Sequence, residues 1–573
     1  MAPSLILGPL LRHVGSSDAT VWVEADAPCE VEVLVGGYPH RLHTFTVEGH
    51  HYALVRVEGL EPGSSHEYSV RLDGEEAWPE PDYDFPPPVI RTIAPDDKLT
   101  FVFGSCRVSV PHEPPYTMKR GVIKRGGVSG HRYERDALYT LALRMQRQPQ
   151  EDWPDALLLL GDQVYADEVS EGTRQFIRSR RDTKKPPGEE VADFEEYTRL
   201  YWDAWKNPTI RWLLSTVPSA MIFDDHDVHD DWNTSETWVR QMRAKPWWEE
   251  RIVGAFMSYW VYQHLGNLSP QELEEYGLFE RVKKAQDASR VLREFAYKAD
   301  RETGTSRWSF HRDFGRVRLI VMDTRAGRML EEGHRSMLDR EEWTWIEGQA
   351  TGDFDHLLFG TSLPVFLMSA MHHLEAWNEA VCGGAWGRLA TKLGEFVRQL
   401  VDLEHWAAFQ DSFEELAALL RSVGAGERSD GKPPASVVVL SGDVHHGYLA
   451  EVGFGDGVES PVYQAVGSPL RNLLGLPERL AMRIGWSGPG ERVGKTLARL
   501  AGVAEPAVNW RLKHEKPWFD NHISTLELRG REATLKVEKP TPEDAGEPSL
   551  RTILEHPLTR DAGPHDSRLR ARG

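Results

Sequence analysis

The chain has 573 residues, of which 67 are Lys or Arg and 88 are Asp or Glu, so its formal net charge is −21. A negative field of this size repels nucleic acid and anionic membranes unless a local basic patch overrides it. Only three cysteines occur, and no run approaches the roughly 18 to 20 apolar residues of a transmembrane helix, so the sequence excludes a disulfide scaffold and a membrane-spanning protein.

The first residues do not resemble an export signal. Residues 1–25 contain a short apolar patch, but no basic region precedes it and strand-like alternation follows directly. We therefore expect a cytoplasmic protein, whereas a chain numbered from a processed form would be a secreted one. The oligomeric state cannot be inferred from these features.

Residues 1–95 are predicted to form a small all-β domain. Short alternating runs follow one another with Gly, Pro or Ser between them, namely ATVWVEA, EVEVLVGG, HTFTVEG, HYALVRVEGL and HEYSVRL. Such spacing indicates a β-sandwich of about seven strands. The Pro-rich stretch 79–98 then predicts a semi-rigid linker, with the domain boundary near Asp97.

Residues 98–535 are predicted to form a larger α/β domain. Continuous apolar runs such as DALLLLGD, RVRLIVMDT and SVVVLSGD alternate with helical patterns, which is typical of a buried, mostly parallel sheet. Trp-rich insertions at 197–214, 235–265 and 371–420 are predicted to be helices whose aromatic side chains pack in the core. The polar tail, residues 540–573, is expected to be poorly ordered.

Four of the predicted strands end in residues that bind metals. They read FVFGSC, LLLLGDQVYAD, MIFDDHDVHDDW and VVVLSGDVHHGY. In a layered α/β sheet the functional residues gather beyond the carboxyl ends of the strands, so tips that are distant in sequence can converge. The sequence therefore predicts a metal site, and hence an enzyme.

The first two tips each allow a structural and a chemical interpretation. Cys106 is either a thiolate ligand or a small buried hydrophobic residue, and Asp162 either bridges two cations or caps a helix. Tyr165 would bind as phenolate only to a strongly Lewis-acidic ion such as Fe³⁺, since the pKa of a free phenol is about 10. Arg107 offers a fork of donors that suits a phosphate oxygen.

The last two tips concentrate carboxylates and imidazoles. His226 lies among carboxylates that would raise its pKa, which suits a general acid. Asp443 and His445 are two apart and would face the same side of an extended strand end, so they would bind one metal or one metal each of a pair. His446 would face the other way as a packed histidine. Oxygen and imidazole ligands together suit iron, manganese, zinc or calcium.

Taken in their order, the motifs GSCR, GDxxYAD, DDHDVxDDW, GTSLPV and SGDVHH resemble those of the PhoD-type alkaline phosphatases of the metallophosphoesterase superfamily. The resemblance covers nearly the whole chain. It implies a metallophosphoesterase-type α/β sandwich preceded by a fibronectin-type-III or immunoglobulin-like sandwich. It also implies that Fe³⁺ is held by Cys106, Asp162, Tyr165 and His445.

A second, divalent ion would share Asp162 and take Asp443 and one residue of the DDHD motif. The resemblance implies Ca²⁺, with Mn²⁺ or Zn²⁺ as alternatives. The family pattern has Asn where this chain has Asp225, Asp230 or Asp231, and we choose Asp225 because it precedes His226 as Asn precedes His in GNHD. The extra carboxylates leave the identity of the second metal open.

The resemblance implies a metal-dependent hydrolase of small phosphate esters, in which a metal-bound hydroxide attacks phosphorus at a dinuclear site. Arg107 would offset charge on the phosphate oxygens, and His226 would protonate the leaving oxygen. A phosphodiesterase, including a phospholipase D-like enzyme, is the alternative, with a pocket lined by Trp247, Trp248, His372, His373 and Trp377. A non-catalytic binding scaffold is the third hypothesis. No nucleic-acid partner is expected.

Overall fold

The computed structural model describes residues 2–94, 98–119 and 133–560. The predicted domain boundary near Asp97 and the end of the predicted tail, residues 561–573, lie outside these ranges.

The N-terminal region is the predicted β-sandwich. Residues 2–94 form nine strands, which are β1 (Leu5–Val14), β2 (Asp18–Ala25), β3 (Glu30–Val35), β4 (Tyr38–His43), β5 (Phe45–Val47), β6 (His50–Glu58), β7 (Ser65–Leu72), β8 (Glu75–Trp78) and β9 (Val89–Arg91). One sheet has the order β1-β2-β6-β5 and the other β4-β3-β7-β8, with β9 also paired to β7. Inward side chains such as Val21 and Val33 form the core between the sheets. The strand β9 lies within the stretch that was predicted to be a linker. This part of the stretch is a strand of the sandwich because its backbone pairs with β7.

Two further sheets form the larger domain. Their strands are β10 (Leu99–Gly104), β11 (Ala156–Leu160), β12 (Ser219–Ile222), β13 (Phe310–Phe314), β14 (Val317–Met322), β15 (His356–Thr361), β16 (Ser436–Ser441), β17 (Tyr448–Gly453), β18 (Val462–Val466), β19 (Asn509–Leu512), β20 (Ile523–Arg529), β21 (Glu532–Pro540) and β22 (Leu550–Pro557). The first sheet has the order β12-β11-β10-β20-β21-β22, and the second β13-β14-β15-β16-β18-β17-β19. The strands that carry the four predicted tips have parallel neighbours: β10, β11 and β12 run parallel in the first sheet, and β16 runs parallel to β15 and β18 in the second.

The two sheets pack face to face. Leu358 and Val438 of the second sheet join the same core as the first sheet, and the rings of Phe101 and Phe314 meet across the interface at 4.7 Å between centroids. The alternate residues Leu357 and Val437 point to the outer face, which helices cover. Because both faces are buried, the strands read as continuous apolar runs. The predicted fold class, an α/β sandwich behind a β-sandwich, is confirmed.

The insertions predicted to be helical are helical. The helices are α1 (Ala137–Met145), α2 (Glu171–Arg180), α3 (Phe194–Trp205), α4 (Pro208–Thr216), α5 (Glu236–Arg243), α6 (Trp248–Tyr259), α7 (Leu265–Asn267), α8 (Pro270–Tyr276), α9 (Leu278–Lys284), α10 (Ser289–Arg301), α11 (Arg340–Gln349), α12 (Ser369–Cys382), α13 (Arg388–Leu400), α14 (Gln410–Gly424), α15 (Leu476–Gly485) and α16 (Gly488–Leu500). Short 3₁₀ turns span Gln150–Asp152, Asp225–Asp227, Trp406–Ala408 and Glu543–Ala545, and a π-helical segment spans Trp260–His264. Among the described residues, no helix has both the length and the apolarity that crossing a bilayer requires.

The expectation of a poorly ordered tail beyond Pro540 is wrong for residues 550–557. These residues form β22, which pairs antiparallel with β21 at the edge of the first sheet. Thr552 and Ile553 are β-branched and favour strand geometry, and Ile553 packs against the core. The polar composition of the segment reflects an edge strand with one exposed face rather than disorder.

The β-sandwich is docked on the larger domain through buried groups. The guanidinium of Arg12 donates to the carbonyl oxygens of Tyr262 and Gln263 at 3.1 and 2.7 Å and to Asn267 Oδ1 at 3.1 Å. Asn267 in turn bonds the backbone N–H and C=O of Met221 in β12. The sandwich therefore supports the strand that ends in the DDHD motif.

Candidate metal centre

The four predicted tips converge at one edge of the paired sheets. Cys106 follows β10, Asp162 follows β11, Asp225 follows β12, and Asp443 follows β16. Parallel strands direct their carboxyl ends to the same edge, so these residues meet although as many as 337 positions separate them in sequence, as for Cys106 and Asp443. The hydrogen bond from the Asp443 N–H to Ser105 Oγ, 3.0 Å long, joins the first tip to the last.

One group of ligand atoms contains a thiol, a carboxylate and an imidazole. Ligand atoms of Cys106, Asp162 and His445 lie within 4.8 Å of one another. The hydroxyl of Tyr165 lies 3.4 Å from Asp162 Oδ2 and accepts a 3.2 Å hydrogen bond from Asn472 Nδ2. The structure thus brings together all four residues that were predicted to hold Fe³⁺.

The other ligand atoms form groups that are rich in carboxylates. Asp162 also clusters with Asp225 and His226, and Asp225 clusters with Asp224 and Asp443, within the same distance of 4.8 Å. Asp162 is therefore common to the thiol group and to a carboxylate group. Asp225, which the sequence analysis preferred to Asp230 and Asp231, lies in both of these groups, whereas Asp230 lies in a third group with Asp167 and His226.

The prediction that Asp443 and His445 lie on an extended strand end and face the same side is wrong. Both residues lie beyond β16 in a tight turn with left-handed backbone angles, φ 63° and 49°, rather than on an extended strand end. The alternation of side chains along a strand does not apply in such a turn, so residues two positions apart need not point to the same side. Asp443 accordingly joins the carboxylates, and His445 joins Cys106 and Asp162.

The buried carboxylates of the centre repel one another, which changes their pKa values. Burial, followed by the charges of Asp224 and Asp225, raises the pKa of Asp162 well above its usual value, although His226 opposes the rise. Burial and then the charge of Asp162 likewise raise the pKa of Cys106. Within the described part of the chain, Asp162 Oδ1 and Asp224 Oδ2 are buried without a hydrogen-bond partner. Buried carboxylate oxygens of this kind fit cations, which would offset the charge and satisfy the acceptors.

His226 is held by a carboxylate beside the centre. Its Nδ1 lies 2.9 Å from Asp167 Oδ1, and its ring lies 4.9 Å from that of Tyr165. Burial alone lowers the pKa of His226, but the charge and hydrogen bond of Asp167 outweigh it and raise this pKa well above the usual value. Asp230 is mostly exposed and lies 3.8 Å from Nε2 of the same ring. Asp167 therefore fixes the imidazole beside the centre and favours its protonated form, which is the form that a general acid would need.

Arg107 has protein partners. Its Nε donates to Asp136 Oδ2 at 2.8 Å, and its Nη1 donates to the carbonyl oxygen of Ala204 at 3.0 Å. It lines a cavity together with Tyr165 and Gln163. Its predicted contact with phosphate stays a prediction.

Several residues of the centre were not identified from the sequence. The fully buried Arg325, three positions beyond β14, donates to Asp224 and Glu404 and lies 3.3 Å from Asp225 Oδ1. His405 Nε2 lies 3.4 Å from Asp443 Oδ2, and its Nδ1 bonds Glu375 Oε1 at 2.8 Å.

The sequence feature that could have identified Arg325 is its position just after a buried apolar strand, in the stretch RVRLIVMDTR. His405 and Glu375 follow no comparable pattern, because they come from helical insertions.

Aromatic side chains of the insertions pack in the core as predicted, except for Trp386 and Phe396 of the third insertion, which are exposed. Trp248 belongs to the main hydrophobic core, and the ring of His372 packs against Phe413 and Trp510 at 4.7 and 4.9 Å. His446 is buried, and its ring stacks on those of Tyr448 and Phe519, which confirms the packed histidine.

A family model described as PhoD-like phosphatase matches residues 126–472, and a domain of unknown function (DUF7800) matches residues 2–90. A solved structure titled "Structure of PhoD" is 11% identical and has a TM-score of 0.57, covering 96% of this chain and 90% of that chain. A structure of purple acid phosphatase PPD1 from yellow lupin (Lupinus luteus) seeds is 12% identical, with a TM-score of 0.46 and coverage of 98% and 75%. No curated protein matches this chain. The likeness to the first structure extends over both domains and is one of fold.

Proposed function

Because the chain belongs to the PhoD-like phosphatase family, we propose that it hydrolyses phosphate monoesters at a dinuclear metal centre. The chain is a metal-dependent phosphoesterase by its family. The single observation that supports a pair of ions is the position of Asp162, which is common to the group with Cys106 and His445 and to the group with Asp225. A carboxylate shared in this way can bridge two cations.

Cys106, Asp162, Tyr165 and His445 would hold Fe³⁺, and Asp162, Asp225 and Asp443 would hold Ca²⁺, with Mn²⁺ or Zn²⁺ as alternatives. The donor set supports this division, since a phenolate favours a strongly Lewis-acidic ion and an all-carboxylate group favours a hard divalent ion. When bound, two such ions would offset charge on the phosphate and activate the attacking water. Asp224 would add a further carboxylate to the second group.

The protein side chains supply binding, orientation and a proton. His226, fixed by Asp167, would donate its Nε2 proton to the departing oxygen as the ester bond breaks. Arg107 would bind a phosphate oxygen from the cavity that it lines with Tyr165. Arg325 contacts Asp224 and Asp225 and would hold both carboxylates in place without contacting the substrate.

Asp162→Asn should abolish metal binding and hydrolysis together, because the bridging position would lose its charge. Elemental analysis of the purified protein and turnover of a chromogenic phosphate monoester are the measurements. Asp430→Asn, which changes an exposed loop carboxylate, is the matched control and should retain both. Full activity of the Asp162→Asn variant would refute the bridging role.

Turnover of monoester and diester forms of one chromogenic substrate tests the substrate class. The proposal expects preference for the monoester, and faster hydrolysis of the diester would favour the phosphodiesterase alternative.

A further inference from the structure

Exposed apolar side chains are concentrated on three helices. Eleven of the fifteen large hydrophobic side chains that are exposed in the described part of the chain lie within residues 386–401 and 476–500. These residues include α13, α15 and α16, which we name the cap helices. A concentration of large exposed apolar side chains of this kind is typical of a surface that binds a partner.

The helix α13 has its apolar face outward. Leu389, Leu393, Phe396 and Leu400 follow the helical spacing of one face and are between 61% and 87% exposed. The face toward the protein carries Gly394 and Arg398 instead. A surface helix of a globular domain normally buries its apolar face, so this orientation is the reverse of what folding alone requires.

The helix α15 repeats this arrangement. Leu476, Leu480 and Ile484 are four residues apart and are 56% to 82% exposed, whereas the only buried residue of the helix is Gly485, which lies against Met368. The helix thus presents a second apolar stripe outward.

The third cap helix joins the other two into one body. In α16, Gly494 packs against Ala370 of α12, and Nε1 of Trp386, two residues before α13, donates to the carbonyl oxygen of Leu500 at 3.1 Å. The helix α12 contacts all three cap helices. Their exposed stripes therefore belong to one structural unit.

The charge of the cap helices is opposite to that of the chain. They contain eight basic and three acidic residues, and without Arg398, which is buried against Glu332 and Glu395, their net charge is 7 − 3 = +4 in a protein of net charge −21. Helices with exposed Leu and Phe beside Lys and Arg are typical of segments that lie in the interface of an anionic membrane. A second copy of the chain fits less well, because a symmetric contact would bring one basic surface against another.

We propose that the cap helices bind the surface of an anionic lipid bilayer. Their apolar side chains would insert at the level of the headgroups, and Lys392 and Arg492 would pair with lipid phosphates. The local basic patch thereby overrides the repulsion that the net charge would impose.

The cap is connected to the candidate metal centre. His405, shortly after α13, contacts Asp443, and Trp486, directly after α15, lies 3.5 Å from His446. Asn472, which bonds Tyr165, lies four residues before α15. Binding of the cap helices to a bilayer would place the centre beside phosphate esters that the bilayer carries. This step rests on the proposed function.

Cosedimentation of the full chain with vesicles tests the proposal. The protein should bind vesicles of phosphatidylcholine with phosphatidylglycerol and should not bind pure phosphatidylcholine. Leu393→Ser combined with Phe396→Ser should lower the partition coefficient at least tenfold, since both side chains are exposed and contribute little to folding. Lys392→Glu combined with Arg492→Glu should lower it on anionic vesicles as well.

Tyr38→Ser is the matched control, because Tyr38 is also an exposed aromatic residue but lies on the β-sandwich. Its binding should equal that of the unchanged protein. Equal binding by the Leu393→Ser, Phe396→Ser variant would overturn the proposal, as would no binding by the unchanged protein. A dimer that this variant converts to monomers, without vesicle binding, would assign the cap to a second copy.

Turnover of a soluble chromogenic phosphate ester separates this proposal from the proposed function. The cap variants should retain that turnover, because none of the changed residues lies in the centre. A protein that binds vesicles but hydrolyses no ester would contradict the proposed function alone.

Discussion

At the scale of single residues, the backbone of the centre is under strain. Cys106, Asp162, Asp443 and His445 have positive φ angles of 54°, 29°, 63° and 49°, a region that costs a residue other than glycine about 1–3 kcal/mol. These residues belong to three of the four strand tips, those after β10, β11 and β16, where the chain turns sharply as soon as the strand ends. The strain therefore belongs to the way in which the ligands are brought together.

Gly442 is required by the same convergence. A Cβ atom at this position would meet the Leu160 carbonyl oxygen and Ser105 Oγ, and the backbone of β11 cannot move aside. We expect Gly442→Ala to lower turnover of a phosphate ester at least tenfold and to reduce metal content. Gly348→Ala is the control, since nothing lies within 4 Å of the Cβ it would add. Equal activities of the two variants would show that the tips tolerate a wider spacing.

The pKa of His226 leads to a prediction for the pH profile. Its acid form is present below its pKa, so turnover should fall as the pH rises through that value. Asp167→Asn removes the charge that raises this pKa, and burial then lowers it. The alkaline limb of kcat should therefore move to lower pH. Asp230→Asn should move it less, because Asp230 is mostly exposed, and an unchanged limb in the Asp167→Asn variant would exclude His226 as the acid.

At the scale of strands and helices, predictability depended on burial. The parallel strands could be predicted because both of their faces are covered, so that each reads as an unbroken apolar run followed by a turn. The edge strand β22 could not, since exposure leaves it with a mixed polar composition. The residues that type and position indicated, such as Cys106 and Asp225, are in the centre. Arg325 and His405 were missed because their partners depend on long-range packing.

His50 links three elements across the domain interface. It lies on β6, between Glu24 of β2 and Glu195 of α3, at 2.9 and 2.8 Å. Burial alone lowers the pKa of His50, but hydrogen bonds to Glu195 and Glu24 outweigh it and raise the pKa from 6.5 to about 9. The folded-state pKa thus lies above the unfolded value. The stabilisation is complete below pH 6.5 and is lost as the pH rises through about 9.

We expect the unfolding midpoint to fall between pH 6.5 and 9 by an amount that His50→Gln removes. The rise in the pKa of His50 corresponds to a stabilisation on the order of 3 kcal/mol. Thermal unfolding of both proteins at several pH values is the measurement. His43→Gln is the control, because His43 is an exposed histidine of the same sandwich. An identical pH dependence of His50→Gln and the unchanged protein would contradict this assignment.

At the scale of the whole molecule, the main hydrophobic core of the larger domain extends across the interface to residues of the sandwich, which also has its own core between its sheets. Trp22 and Tyr52 of the sandwich pack around Tyr262 of the larger domain, with ring centroids 5.3 and 5.5 Å from it. The sequence predicted two domains joined by a linker, but it could not predict this interface, because the interface consists of ordinary core residues on both sides. The sandwich is part of the support of the centre.

Arg12→Ala tests that support. The change would leave buried acceptors on Tyr262, Gln263 and Asn267 without their donor, which should lower the free energy of unfolding by about 3 kcal/mol or more. Turnover should fall as well, since Asn267 bonds β12. Thermal unfolding and ester hydrolysis are the measurements, with the exposed Arg41→Ala as the control. Activity that survives the loss of stability would show that β12 holds its position alone.

The basic cap on an acidic protein gives the molecule a charge asymmetry, and its consequence is orientation. Near an anionic surface the cap is attracted while the rest of the protein is repelled, so the two forces exert a torque that turns the cap toward the surface. This torque acts over a Debye length of about 10 Å at 0.1 M salt. The protein would arrive with the correct side facing the lipid, and added salt would abolish this alignment before it weakened the apolar contact.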